Sequence, residues 1–129
     1  MNVLVDTSVW SKALRPHPDD AVVERLRKQI ELGRVVLVGI VVQELLQGFR
    51  RDRDVTRVAK KLEAFPLLQL AREDYVGAAN LHRACARRGV AASTIDCRIA
   101  SAAIRHRCAL FTLDTDFERI AKVAPLRLL

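Results

Sequence analysis

Short apolar runs alternating with longer helical patterns predict an α/β domain with a mainly parallel central sheet covered by helices on both faces. Three observations carry that expectation. Runs rich in Val and Leu occur at Asn2–Val5, Val35–Val38, Leu67–Leu70 and Ala109–Thr112. The stretches between them place apolar residues at helical spacing. Helix-starting Asp, Ser and Thr and helix-stopping Gly and Pro stand at the joints.

The elements follow in order. Asn2–Val5 is the first strand, and Asp6-Thr7-Ser8 starts a short helix. A second helix follows Pro18-Asp19-Asp20, carries Val22, Val23, Leu26 and Ile30 at helical spacing, and stops at Gly33. After strand Val35–Val38, a helix beginning past Gly39 holds Ile40, Val41, Glu44 and Leu45. An Arg-rich stretch leads to a helix from Asp54 to Ala64, which Pro66 ends. Leu67–Leu70 is the third strand and Arg72–Arg88 a long helix with Gly89 as its stop. Ser93 or Thr94 caps a helix that runs to His106, Ala109–Thr112 is the fourth strand, Phe117–Ala121 a short helix, and Leu126–Leu128 a weaker final strand. No repeat or linker interrupts the 129 residues, so a single domain spanning 1–129 is expected.

Four acids, Asp6, Glu44, Asp96 and Asp114, stand far apart in sequence but each lies in apolar or turn-forming surroundings. Asp6 and Asp114 directly follow predicted strands, at the edge of a parallel sheet where ligands gather. Each acid has an ordinary alternative. Asp6 suits a helix cap, Asp96 stands three residues after Ser93 at capping-box spacing, and Asp114 with Asp116 suits a turn before Phe117. Glu44 is the exception, because on a helix it stacks with Ile40 and Val41 and faces the apolar side. Together, four converging carboxylates persist only with cations among them, since like charges at short range oppose one another's ionisation.

The rest of the composition fits a polyanionic partner. Lys and Arg number 22 against 15 acids, a net charge of +7, and withdrawing four acids into a site makes the remaining exterior more basic still. Arg50 and Arg51, just past the Glu44 helix, and Arg15, after the first helix, are the expected phosphate contacts. Trp10 is assigned to core packing. Cys85, Cys97 and Cys108 form no C-x-x-C pair and read as reduced, buried thiols. His17, His82 and His106 are scattered and read as surface or helix-end residues. No apolar stretch approaches the about 20 residues that span a bilayer, and Met1-Asn2 leads straight into a strand, so a cytoplasmic protein is expected.

The run Val3-Leu4-Val5-Asp6-Thr7-Ser8-Val9-Trp10, Glu44 on a helix after a strand, Thr94-Ile95-Asp96-Cys97-Arg98-Ile99-Ala100 and Leu110-Phe111-Thr112-Leu113-Asp114-Thr115-Asp116-Phe117 together resemble the PIN-domain ribonucleases. Size and layout look most like the VapC toxins of bacterial toxin–antitoxin systems. The resemblance implies a PIN-like three-layer sandwich. It also implies one or two Mg²⁺ or Mn²⁺ ions held by Asp6, Glu44, Asp96 and Asp114, with Asp116 replacing or supplementing the fourth. Thr7 or Ser8 and Thr112 would be nearby orienting hydroxyls, with Thr112 joining the four acids as catalytic. The implied activity is RNA hydrolysis leaving a 5′-phosphate and a 3′-hydroxyl, and the implied assembly is a homodimer inhibited by a VapB-type antitoxin. Two other readings compete: an inactive nucleic-acid-binding or regulatory domain whose acids are caps, and a haloacid dehalogenase-like phosphatase. The second expects an Asp two residues after the first, where this chain has Ser8.

Overall fold

A computed structural model describes residues 1–14 and 16–129. Its sheet contains β1 (Val3–Val5), β2 (Val35–Val38), β3 (Leu67–Leu68) and β4 (Ala109–Phe111), all parallel, in the order β3-β2-β1-β4. Among the described residues, seven helices flank it: α1 (Thr7–Ala13), α2 (Asp20–Glu31), α3 (Gly39–Gln47), α4 (Asp52–Leu62), α5 (Arg72–Arg87), α6 (Thr94–Arg105) and α7 (Asp116–Ala121).

Every residue of β1, β2 and β4 is buried. Successive strand residues point to opposite faces, so both faces of the sheet are covered by helices. This explains why these strands read as unbroken apolar runs rather than as alternating ones. Phe111, Phe117, Leu4, Leu37, Ile99 and Leu110 are the largest fully buried side chains. Trp10 is buried too, with its ring 5.4 Å from that of Phe65, as its core assignment requires.

Local signals set the helix ends. Asp19 accepts hydrogen bonds from the Ala21 and Val22 backbone N–H groups and so caps α2, while Ser93 accepts from the Asp96 N–H and caps α6. Gly33 follows α2 with φ +67 and Gly89 follows α5 with φ +71, left-handed conformations that a residue with a Cβ rarely adopts.

Two strand expectations are corrected. The third strand has only two residues, because β3 lies at the sheet edge, where Leu67 is 48% exposed and pairing is one-sided. The final segment forms no strand. It contributes a single parallel bridge between Leu110 and Leu128, just after Pro125, which has no backbone N–H to give a ladder.

The strand order places the crevice. From β1 the chain moves outward through β2 to β3, then returns across the domain to lay β4 against the other side of β1. Connections therefore leave β1 and β4 in opposite directions, and their C-terminal ends bound a topological switch point. Asp6 directly follows β1, and Thr112 to Asp116 follow β4.

Candidate metal centre

Asp6 occupies the N-cap position of α1, yet its side chain makes no cap hydrogen bond. Instead its Oδ2 accepts from Ser8 Oγ and from Thr112 Oγ1, each at 2.8 Å. The cap explanation for this carboxylate is therefore wrong. Asp6 is only 6% exposed, and the two hydroxyls supply the polar partners that burial demands.

Asp96 lies in the first turn of α6. The Ser93 hydroxyl takes its backbone N–H, and its carboxylate turns towards the acids after β4. One oxygen each from Asp96, Asp114 and Asp116 lies within 4.8 Å of the others. Burial first, then neighbouring Asp114, push the Asp96 carboxyl up, Ser93 pulls against this, and Asp6 and Asp116 add to the rise, which together bring it to about 6.

Asp114 and Asp116 both lie in the group, so proximity favours neither over the other as the fourth acid. The turn reading also holds in part, because Asp114 Oδ1 accepts the Asp116 backbone N–H at 2.9 Å. Asp116 has a cationic neighbour, Arg119, one helical turn on. Sequence reading did not single out that pair, although its i,i+3 spacing is a visible signal. Glu44 is half-buried on α3, which starts directly at the end of β2, and its Oε1 accepts from Thr7 Oγ1 at 3.2 Å. It reaches the site through Thr7 rather than as a member of the close acidic group.

Arg50 and Arg51 are exposed between α3 and α4, and Arg15 lies outside the described residues. His17 and His82 are exposed, and His106 sits at the C-cap of α6. The three cysteines are buried and free. Burial, then Cys85 and Asp96 nearby, push the Cys97 thiol up to about 11, which keeps it protonated and inert.

A second acidic centre escaped sequence reading. Asp74, in the first turn of α5, is 2% exposed. It accepts from the Ala71 N–H at 2.8 Å and from Arg105 Nε at 3.1 Å, and it meets His106 Nε2 at 3.2 Å. Ser101 Oγ donates to the Asp74 backbone carbonyl at 3.0 Å. Burial favours the protonated form of Asp74, but the Ala71 N–H, His106 and Arg105 outweigh it and hold the carboxyl below its ordinary 3.8. The cap at the start of α5 was legible; partners 31 and 32 residues away were not.

A parallel α/β sheet with a carboxylate group at its switch point defines an acid-centred class of domain, and within it the chain belongs to the PIN domain family, which residues 3–123 match. It is similar to VapC ribonuclease Mb1587 of Mycobacterium bovis and to Ribonuclease VapC11 of Mycobacterium tuberculosis. Each is 33% identical over 129 residues, with 97% of this chain and 96% of the relative covered. The fold is shared with VapBC2 from Rickettsia felis, solved bound to a promoter DNA fragment, at a TM-score of 0.82 and 19% identity over 100% of this chain and 98% of that one.

Proposed function

We propose that the protein is a Mg²⁺- or Mn²⁺-dependent endoribonuclease toxin of the VapC type, cytoplasmic and homodimeric, and held in check by a cognate VapB-type antitoxin. The observation that carries this reading is the group formed by Asp96, Asp114 and Asp116, with Asp6 close enough to Asp96 to raise its carboxyl. Relatives named as VapC ribonucleases at 33% identity support the activity, and the likeness to a VapBC structure is in keeping with the partner.

The donor set suits a hard divalent cation. It consists of carboxylate oxygens, with hydroxyls behind them, and contains no histidine or thiolate. Asp6, Asp96, Asp114 and Asp116 would hold the ion, with Glu44 completing the site from the α3 side. When bound, such a cation neutralises charge at the reacting phosphate and lowers the pKa of a coordinated water.

The chain's own groups do the rest. Ser8 and Thr112 orient Asp6, and Thr7 steadies Glu44. Arg50 and Arg51, with Arg15, hold the backbone of an RNA strand whose scissile phosphate lies at the switch point. Hydrolysis there leaves a 5′-phosphate and a 3′-hydroxyl.

RNA cleavage by the purified protein tests this directly. Cleavage should require Mg²⁺ or Mn²⁺, stop with chelator, and fall by about 100-fold or more in Asp6→Asn and Asp96→Asn. Full cleavage by both variants would sink the mechanism, and no cleavage of any RNA by the intact protein would favour a binding module.

A further inference from the structure

Two adjacent hydroxyls divide the labour of the site. Thr7 Oγ1 reaches across to Glu44 on α3. Ser8 faces the other way. Its hydroxyl donates to Asp6 Oδ2 at 2.8 Å and accepts the Leu113 backbone N–H at 3.0 Å. Thr112 repeats the pattern, donating to the same Oδ2 at 2.8 Å while accepting the Asp114 N–H at 3.0 Å.

A hydroxyl has one proton to give. With both protons committed to Asp6, the 3.3 Å approach of Ser8 Oγ to Thr112 Oγ1 is a contact between acceptors, and the direction of every bond follows. Two backbone amides of the loop after β4 feed two hydroxyls, and both hydroxyls feed one carboxylate oxygen. Such chains reinforce each bond in turn. Oδ2 is thereby occupied, whereas Asp6 Oδ1 has no hydrogen-bond partner among the described residues.

We infer that Ser8 is a positioning residue that clamps the Leu113–Asp116 loop to Asp6, and that it leaves Oδ1 as the single Asp6 oxygen open to a cation. Thr112 holds the loop at its root, next to β4. Ser8 adds the hold at Leu113, the residue immediately before Asp114, and so sets how close Asp114 and Asp116 stand to Asp96 and Asp6. The inference rests on the metal-centre reading for its effect on affinity, but the clamp itself does not depend on a metal.

The test uses the full chain with two readouts. Exchange of the Leu113 amide, followed by NMR without metal, should speed up at least about tenfold in Ser8→Ala, stay at the wild-type rate in Thr7→Val, and recover in Ser8→Thr. Mn²⁺ affinity, measured by calorimetry, should fall about tenfold in Ser8→Ala and recover in Ser8→Thr, the size of effect usual for a group that orients a ligand. Unchanged Leu113 exchange in Ser8→Ala overturns the clamp. Unchanged Mn²⁺ affinity with accelerated exchange overturns its role in cation binding. A wild-type protein that binds no Mn²⁺ overturns the metal-centre reading together with the affinity claim, while Leu113 exchange still decides the clamp.

Discussion

The two ends of α6 carry opposite solutions to the same problem. At its C-terminal end, Arg105 and His106 close around the buried Asp74 of α5, and a backbone N–H completes the set. At its N-terminal end, Asp96 meets Asp114, Asp116 and Asp6, and among the described residues Arg119, bound to Asp116, is the one cation paired with the group. The first carboxyl is held below its ordinary range and the second is pushed up to about 6. An acid supplied with its own counter-ions belongs to the architecture. An acid buried and crowded by other acids stores unfavourable charge, which a bound cation would relieve.

That contrast breaks if substitutions at the two ends act alike. The largest difference concerns activity: Asp96→Asn should remove RNA cleavage by about 100-fold or more and leave the metal-free protein at least as stable as wild type. Asp74→Ala should retain cleavage per folded molecule but lose about 3 kcal/mol of stability in urea unfolding, since it strips three partners from a buried acid position. Equal loss of cleavage in both, measured on folded protein, would erase the distinction.

Acidity sharpens it next. Asp96 has a folded pKa of about 6 against an ordinary 3.8, so the folded state takes up its proton first. Its contribution therefore makes the metal-free protein more stable as pH falls from above 6 towards 4. The folded pKa of Asp74 is lowered, so its stabilisation is complete above the ordinary value near 3.8 and is lost as pH falls through the folded value. Thermal melts of metal-free wild type should gain a few degrees between pH 7 and 5 relative to Asp96→Asn, through proton uptake by Asp96. Saturating Mn²⁺ should cancel that gain. Identical pH profiles in wild type and Asp96→Asn would show that burial and the neighbouring acids do not raise the Asp96 carboxyl in solution.

The smallest effect lies at the α5–α6 seam that supports the Asp74 end. A Cβ on Gly77 would stand 2.6 Å from Ser101 Oγ, the hydroxyl bonded to the Asp74 carbonyl. Gly77→Ala should cost about 1 kcal/mol, because the helix propensity gained is smaller than the overpacking introduced. A stabilised Gly77→Ala protein in urea unfolding would mean that the seam has slack.

Much of this was legible in the chain itself. The parallel sheet could be read from Val3–Val5, Val35–Val38 and Ala109–Phe111, because strands buried on both faces must be apolar throughout. Asp19 and Ser93 as caps, and Gly33 and Gly89 as stops, follow from backbone chemistry within a few residues. Glu44 stood out because an acid on the apolar side of a helix has no local use. The short length of β3 was not legible, because Leu67–Leu70 is as apolar as a central strand and only its place at the sheet edge limits its pairing.

Residue types and their local order thus settled the central strands and the helices, though not the edge strand's length or the final segment, and which acids lay beyond strand ends. Tertiary structure alone decided what each acid does. It turned Asp6 from a helix cap into an acceptor for hydroxyls from α1 and from the loop after β4, admitted both Asp114 and Asp116 to one group, and gave Asp74 its distant Arg105 and His106. The reason lies in the range of the forces. Capping and helical periodicity act over three or four residues and leave their mark in the sequence. The partners of a buried carboxylate are whichever charges and donors the fold brings within a few ångströms, here from positions up to 106 residues away.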